Sequence, residues 1–492
     1  MKKLEIWACG LLLLGSLPLT SLSAQSLSNQ GSRFQAGLGP DGFIQAREAP
    51  EREEFDRHKG LSLNMAIEQG LRLNYLERGR DLLDQKKELE WQDIFTEYWY
   101  PELNIKLSTY AHGLGTLRSG SRAGQVGTSS PSGEISLGFE DYTLFNWGRD
   151  YMRFLNQREQ NHRERERISE ETRELKHKII ITYANLLTTT QIEQIKREQL
   201  RHTSYIYNLN REKVMAQTVS RQDYYQSRSE YLRAQTEFYQ ARVHRQRASE
   251  MMAEILADPA STNYSIQESI RFRSLNLGLE EAKNLARQAS PSVLDASTDL
   301  KIATRGHDLA RRENLPLPTI SMNLGAYRHG FGEGKNNSTR YETYPGSSDI
   351  EVVASLNATW PLLGRGGPLN SRRLQQSYLD KRISQVNWQN SQHEIFSQIQ
   401  QYIYSIDHLE TQIEILEARN TSLKRTFDTV LQNYINGNSS FQDFRQVLIE
   451  KIEARELRAV SLFQHLRDKV ELASTIGIED FPGENFEDLI NR

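Results

Sequence analysis

The chain has 492 residues, with 61 Lys plus Arg against 64 Asp plus Glu, a net charge of −3 and a pI near 6.5. That balance leaves no basic surplus for a nucleic-acid backbone. A mean hydropathy of −0.66, with no apolar run of about 18 residues beyond the N-terminus, excludes a bundle of membrane-spanning helices.

Residues 1–24 read as an export signal. Lys2 and Lys3 lead an apolar run through Leu19, and the small residues Ser21, Ser23 and Ala24 mark the cleavage point. Cys9 is the only cysteine and precedes the run, so the mature chain is expected to lack disulfides and thiol chemistry. Residues 25–60 read as a charged, solvated linker.

From 61 to 99 the apolar spacing is helical, with Leu63, Ile67 and Leu71 and then Leu82, Leu83 and Leu89 among charges, until Pro101 stops it. Leu103, Ile105 and Leu107 then alternate with Asn104, Lys106 and Ser108. After the Gly/Ser-rich stretch 113–132, Ile135, Leu137 and Phe139 alternate with Ser136, Gly138 and Glu140. A run free of Pro and Gly follows from Arg149 past Ser220; as a helix over 148–213 it would span roughly 100 Å. Another helix is predicted over 220–256.

The same order then recurs. Residues 277–315 are helical with a break at Pro291, and Ile320, Met322, Leu324 and Ala326 alternate with Ser321, Asn323 and Gly325. A Gly/Asn/Ser loop spans 330–348, and Val352, Ala354, Leu356 and Ala358 alternate with Val353, Ser355, Asn357 and Thr359. Gly366, Gly367 and Pro368 open a second helix of roughly 100 Å. A last helix is predicted over 440–475, and an acidic tail ends the chain.

The expected organisation is therefore a repeat over 61–257 with its hairpin at 101–145, a linker over 258–276, and a second repeat over 277–476 with its hairpin at 317–361. The tail covers 477–492. Residue identities support a duplication: Pro101, Tyr110, His112 and Gly113 fall at one constant offset on Pro318, Tyr327, His329 and Gly330. Leu144-Phe145 falls on Leu362-Leu363, and Ser220, Gln222 and Asp223 fall on Ser440, Gln442 and Asp443.

Along the second long helix Ile395, Ile399, Tyr402, Ile406, Leu409, Ile413 and Leu416 recur at alternating four and three, continuing through Leu423, Phe427, Val430 and Tyr434. This heptad stripe predicts left-handed coiled-coil packing. The strands, each about ten residues, have the length of tilted membrane-crossing strands. Four strands cannot close a barrel that needs about eight, so several chains are expected to contribute. Enzyme chemistry finds no support. His-Glu-x-x-His is absent, the 11 histidines lack ligand spacing, and Gly334-Lys335 lacks the rest of a phosphate loop. No cofactor or metal is expected. An exported structural or adhesive coiled-coil protein is the rival that explains the heptads.

Taken in order, the signal peptide, the two repeats, the proline-led strands and the Leu144-Phe145 and Leu362-Leu363 corners resemble the TolC-like outer-membrane efflux protein family. Tyr434-Ile435-Asn436-Gly437 followed by Asp443 is similar to that family's Tyr-x-x-Gly turn with its later Asp. The resemblance implies a mainly α fold with long coiled-coil helices and four strands per chain. It implies a homotrimer with a twelve-stranded outer-membrane barrel and a periplasmic tunnel, serving tripartite efflux or type I secretion. Its partners would be a periplasmic adaptor protein and an inner-membrane pump. It also implies a gate at the periplasmic tip formed by Asp223, Tyr434 and Asp443, and an adaptor-docking turn at Gln217, Asn436, Gly437, Asn438 and Ser439. Ser439 stands where the family carries Arg, Gln446 where it carries a further acid, and Gln217 where it carries Gly. In such a barrel Leu103, Ile105, Leu107, Ile320, Met322 and Leu324 would face lipid, and Asn104, Lys106, Ser321 and Asn323 the lumen.

Overall fold

The computed structural model describes residues 58–109, 133–216, 219–260, 262–331, 353–360 and 370–491. The export signal, most of the 25–60 linker, both hairpin loops, Pro368 and the Leu362-Leu363 corner lie outside the described residues.

Helices dominate. Strand β1 (His58–Gly60) leads to α1 (Leu63–Leu73) and α2 (Tyr75–Trp99). The sequence reading expects one helix here. The structure breaks it at Asn74, whose extended backbone and side chain cap α2 by accepting from the Leu76 N–H at 2.8 Å, while its amide donates to the Ile255 carbonyl. Strands β2 (Asn104–Thr109) and β3 (Gly133–Phe145) precede α3, the 67-residue helix Arg149–Met215, and α4 (Arg221–Leu256). After β4 (Asn263–Ser265) and β5 (Ser269–Ile270) come α5 (Leu279–Ala289) and α6 (Pro291–Glu313), separated at Pro291 as expected. Strands β6 (Thr319–Phe331) and β7 (Val353–Thr359) precede α7, the 65-residue helix Ser371–Ile435, then α8 (Phe441–Ile476) and β8 (Ile490–Asn491). Helix, hairpin, long helix and helix thus run twice. No helix among the described residues is long and apolar enough to cross a membrane.

The four short strands correct the expectation that only the hairpins are extended. β1 pairs in parallel with β4, and β5 pairs antiparallel with β8. The tail is correspondingly docked, with Phe481, Phe486, Leu489 and Ile490 buried among Ile179, Tyr183 and Val470. Lys469, fully buried on α8, donates to Glu484 of the tail and to the Arg273 carbonyl of the inter-repeat linker. Each buried Leu, Ile or Phe contributes roughly 2 kcal/mol, so four apolar anchors outweigh the tail's acidity.

The hairpins form one antiparallel sheet in the order β2-β3-β6-β7. Met322 pairs with Tyr142 and Leu356, Leu324 with Phe139 and Ala354, and Ile320 with Phe145 and Ala358, which makes one face apolar. Ser321 pairs with Thr143 and Asn357, and Asn323 with Ser355, which makes the other polar. Ile105 and Leu356 on the apolar face are 77% and 68% exposed, so nothing among the described residues covers it there. Among the described residues β2 and β7 each pair on one side only, leaving two free edges.

Candidate functional site at the α7–α8 turn

The far ends of the two helical hairpins hold the residues singled out above. Helix α7 ends at Ile435, and Gly437 takes φ +81, a left-handed conformation that glycine adopts without strain. The Gly437 N–H donates to the Tyr434 carbonyl at 3.1 Å and the Asn438 N–H to the Asn433 carbonyl at 2.8 Å, the paired bonds of a Schellman stop. The chain then reverses into α8 through a capping box. Ser440 Oγ accepts from the Asp443 N–H at 3.1 Å, and Asp443 Oδ2 accepts from Ser440 N–H at 3.1 Å and from its hydroxyl at 2.7 Å. The Ser440 hydroxyl, and then its backbone N–H, hold the Asp443 carboxyl below its ordinary range. Within the single chain this is opposite to the upward shift that a crowded acidic ring would produce.

Asp223 repeats the arrangement at the start of α4. Ser220 Oγ accepts from the Asp223 N–H at 3.1 Å and donates to Asp223 Oδ2 at 2.7 Å. The two acids are therefore helix-start residues at equivalent places, a role the Ser-x-x-Asp spacing announces.

Tyr434 is placed differently. It is 6% exposed, stacks on Phe444 at 5.6 Å and lies 6.2 Å from Phe441. Its hydroxyl donates to Asn210 Oδ1 of α3 at 2.7 Å. Burial pushes that hydroxyl above its ordinary range. Lys213 Nζ sits 5.5 Å from the ring centroid and donates to the Ile435 carbonyl at 3.2 Å. Tyr434 therefore bolts α7 to α3 inside one protomer. Gln217 lies outside the described residues. Asn436, Asn438 and Ser439 lie at the turn with Gly437.

Several contacts between the two hairpins escape the sequence reading. Gln442 Nε2 donates to Gln226 Oε1 at 3.0 Å and Arg445 Nε to Glu230 Oε2 at 3.0 Å, tying α8 to α4. Further along, burial pushes Glu198 up, but hydrogen bonds from Arg455 and Lys451 outweigh it and hold the carboxyl at about 2. Lys196 bridges Glu237 at 3.1 Å and Glu456 at 2.6 Å. These partners come from three helices with no common spacing. No local sequence signal marks them, since other polar residues flank them on the same helix faces.

No protein-family profile matches the chain, and no curated protein matches it in sequence. Solved structures do match its fold. A structure of CusC, described in terms of transmembrane channel formation, superposes with a TM-score of 0.70 at 16% identity, covering 86% of this chain and 94% of CusC. A membrane protein from Pseudomonas aeruginosa gives 0.70 at 16% identity over 85% and 90%. The CmeC outer-membrane channel of Campylobacter jejuni gives 0.70 at 15% identity over 87% and 88%. The fold is therefore TolC-like, mainly α with long helices and a smaller β portion.

Proposed function

We propose that this chain is one subunit of an outer-membrane efflux duct, a non-enzymatic transporter. Three copies close a barrel of about twelve strands and continue it as a helical tunnel through the periplasm. The observation that carries this reading is the sheet. It has an apolar face open to its surroundings, a polar face behind it and two free edges, and it joins helices roughly 100 Å long. Hydrocarbon cannot solvate an open edge, and only further copies of the sheet can cover both. An exported coiled-coil stalk would explain the heptad stripe, yet it leaves the open-edged apolar sheet without a role.

In this duct the turn at Asn436, Gly437, Asn438 and Ser439, with Gln217 at the equivalent place in the first repeat, forms the periplasmic tip and docks an adaptor protein linked to an inner-membrane pump. The carboxylates of half-buried Asp223 and exposed Asp443 gather near the threefold axis, where focusing in a narrow mouth favours cations. Tyr434 acts from within its protomer: its bond to Asn210 sets how easily the two hairpins part.

Planar-bilayer recording of the purified full chain tests the reading. Discrete conducting steps are expected, with weaker cation preference in Asp443→Asn and higher basal conductance in Tyr434→Phe. A trimeric protein that never conducts would contradict the duct. Unchanged selectivity in Asp443→Asn would reduce that acid to its helix-start role.

A further inference from the structure

The second repeat carries a cleft that the proposed duct does not use. Helix α6 lies between α3 and α7: Lys301 and Arg305 reach Glu159 of α3, and His307 meets Ser377 and Tyr378 of α7. Across one face of α6 the three helices leave a cleft of about 400 Å³. Small-molecule sites start at about 300 Å³, so the space is sufficient for one.

The floor is made by Ala303, Gly306 and Ala310, which share one face of α6. Small side chains usually mark close packing, yet here nothing packs: a Cβ added at Gly306 would meet no atom within 4 Å. The duplication sharpens the point. At the offset that carries Pro101 onto Pro318, these three positions fall on Lys86, Leu89 and Asp93 of α2. The hollow is therefore not imposed by the repeat.

The walls are polar and unevenly charged. At the sheet end, buried Glu313 of α6 is held by Arg153 of α3 at 2.8 Å and by Arg373 of α7 at 2.5 Å. About two turns further along α7, Asp380 lines the cleft, and among the described residues it has no ion-pair partner. Asn156 of α3 lines the opposite wall, and its buried Oδ1 accepts from no donor. An apolar floor, one uncompensated negative charge and one unused acceptor thus meet in one place.

We propose that this cleft binds a small organic cation, with a primary ammonium at Asp380 and Asn156 and an apolar body over the floor at Gly306. An ammonium supplies three N–H donors and the charge that Asp380 balances. An anion would be repelled by Asp380, and both arginines are already engaged by Glu313. Every wall belongs to one chain, so the site stands whether or not the duct reading does.

Gly306→Cys in the full-length chain turns the floor into a reporter, since Cys9 is the only native cysteine and lies in the predicted export signal. A neutral maleimide should label this thiol, and 2-phenylethylamine should protect it. The uncharged 2-phenylethanol should protect about fivefold less well, the scale of one partly exposed ion pair. Adding Asp380→Asn should bring the two compounds level. On the parent chain, calorimetry against a detergent blank should show saturable binding of 2-phenylethylamine. Gly306→Leu should abolish that binding by filling the cleft, with no loss of thermal midpoint, because leucine is the better helix former. A thiol that is never labelled, equal protection by amine and alcohol, an amine preference that survives Asp380→Asn, or binding that survives Gly306→Leu overturns the site.

Discussion

Two glycines show how differently single residues carry this fold. Gly437 at φ +81 has open space where a Cβ would go, so Gly437→Ala costs only left-handed strain, about 1–2 kcal/mol. Gly477 at φ +91 ends α8 against α5, and its Cβ would lie 2.0 Å from the Ala289 carbonyl oxygen. Gly477→Ala therefore adds overpacking of about 1–3 kcal/mol against backbone that cannot swing aside. Thermal unfolding should rank Gly477→Ala well below Gly437→Ala; equal midpoints would refute the close approach. Tyr434→Phe strands the Asn210 side chain, which is 0% exposed, and should cost about 1–3 kcal/mol by denaturant titration. The Ser-x-x-Asp caps and the Gly437 stop are written in local sequence. The Tyr434–Asn210 bond is not, because an asparagine on a long polar helix gives no sign of the partner it meets across a seam.

At the scale of elements, the long helices were legible because the stretches without Pro or Gly and the heptad stripe agree. Eight stripe residues of α7, from Ile395 to Tyr434, are buried. The faces of the sheet were legible from alternation. Placing the sheet as the wall of a barrel is part of the proposal, under which Ile105→Arg near the bilayer midplane should cost about 2–4 kcal/mol of assembled stability. The strands β1, β4, β5 and β8 were not legible, since two or three residues cannot display a period. The docked tail adds a pH dependence. His177 donates from Nε2 to the Glu479 carbonyl at 2.9 Å and has a buried, unpartnered Nδ1; His465 lies 3.2 Å from Glu410 Oε1. Burial pushes both imidazoles below their ordinary range. Their neutral forms are thus favoured in the folded state, so their contribution is intact above about pH 6.5 and is lost as pH falls below it. Limited proteolysis within 478–491 should be faster at pH 5.5 than at 7.5. Equal rates would mean that His177, which bonds Glu479 and meets Phe486, does not hold the tail.

For the whole molecule, the fold joins a small two-faced sheet to coiled-coil hairpins many times its length, and the proposed function depends on which surroundings each face of that sheet meets. Hydrocarbon on the apolar face and water on the polar face is the arrangement a closed barrel requires. Single cysteines placed at Met322 and Leu356 on the apolar face and at Asn323 and Asn357 on the polar face separate the possibilities most directly. They are to be probed with a charged, water-soluble thiol reagent in outer-membrane vesicles containing the assembled protein. The account predicts fast labelling at 323 and 357 and protection at 322 and 356, relieved when the vesicles are dissolved and the protein unfolded. Free labelling at all four positions in intact vesicles would show that the sheet does not face lipid, and the duct would be contradicted.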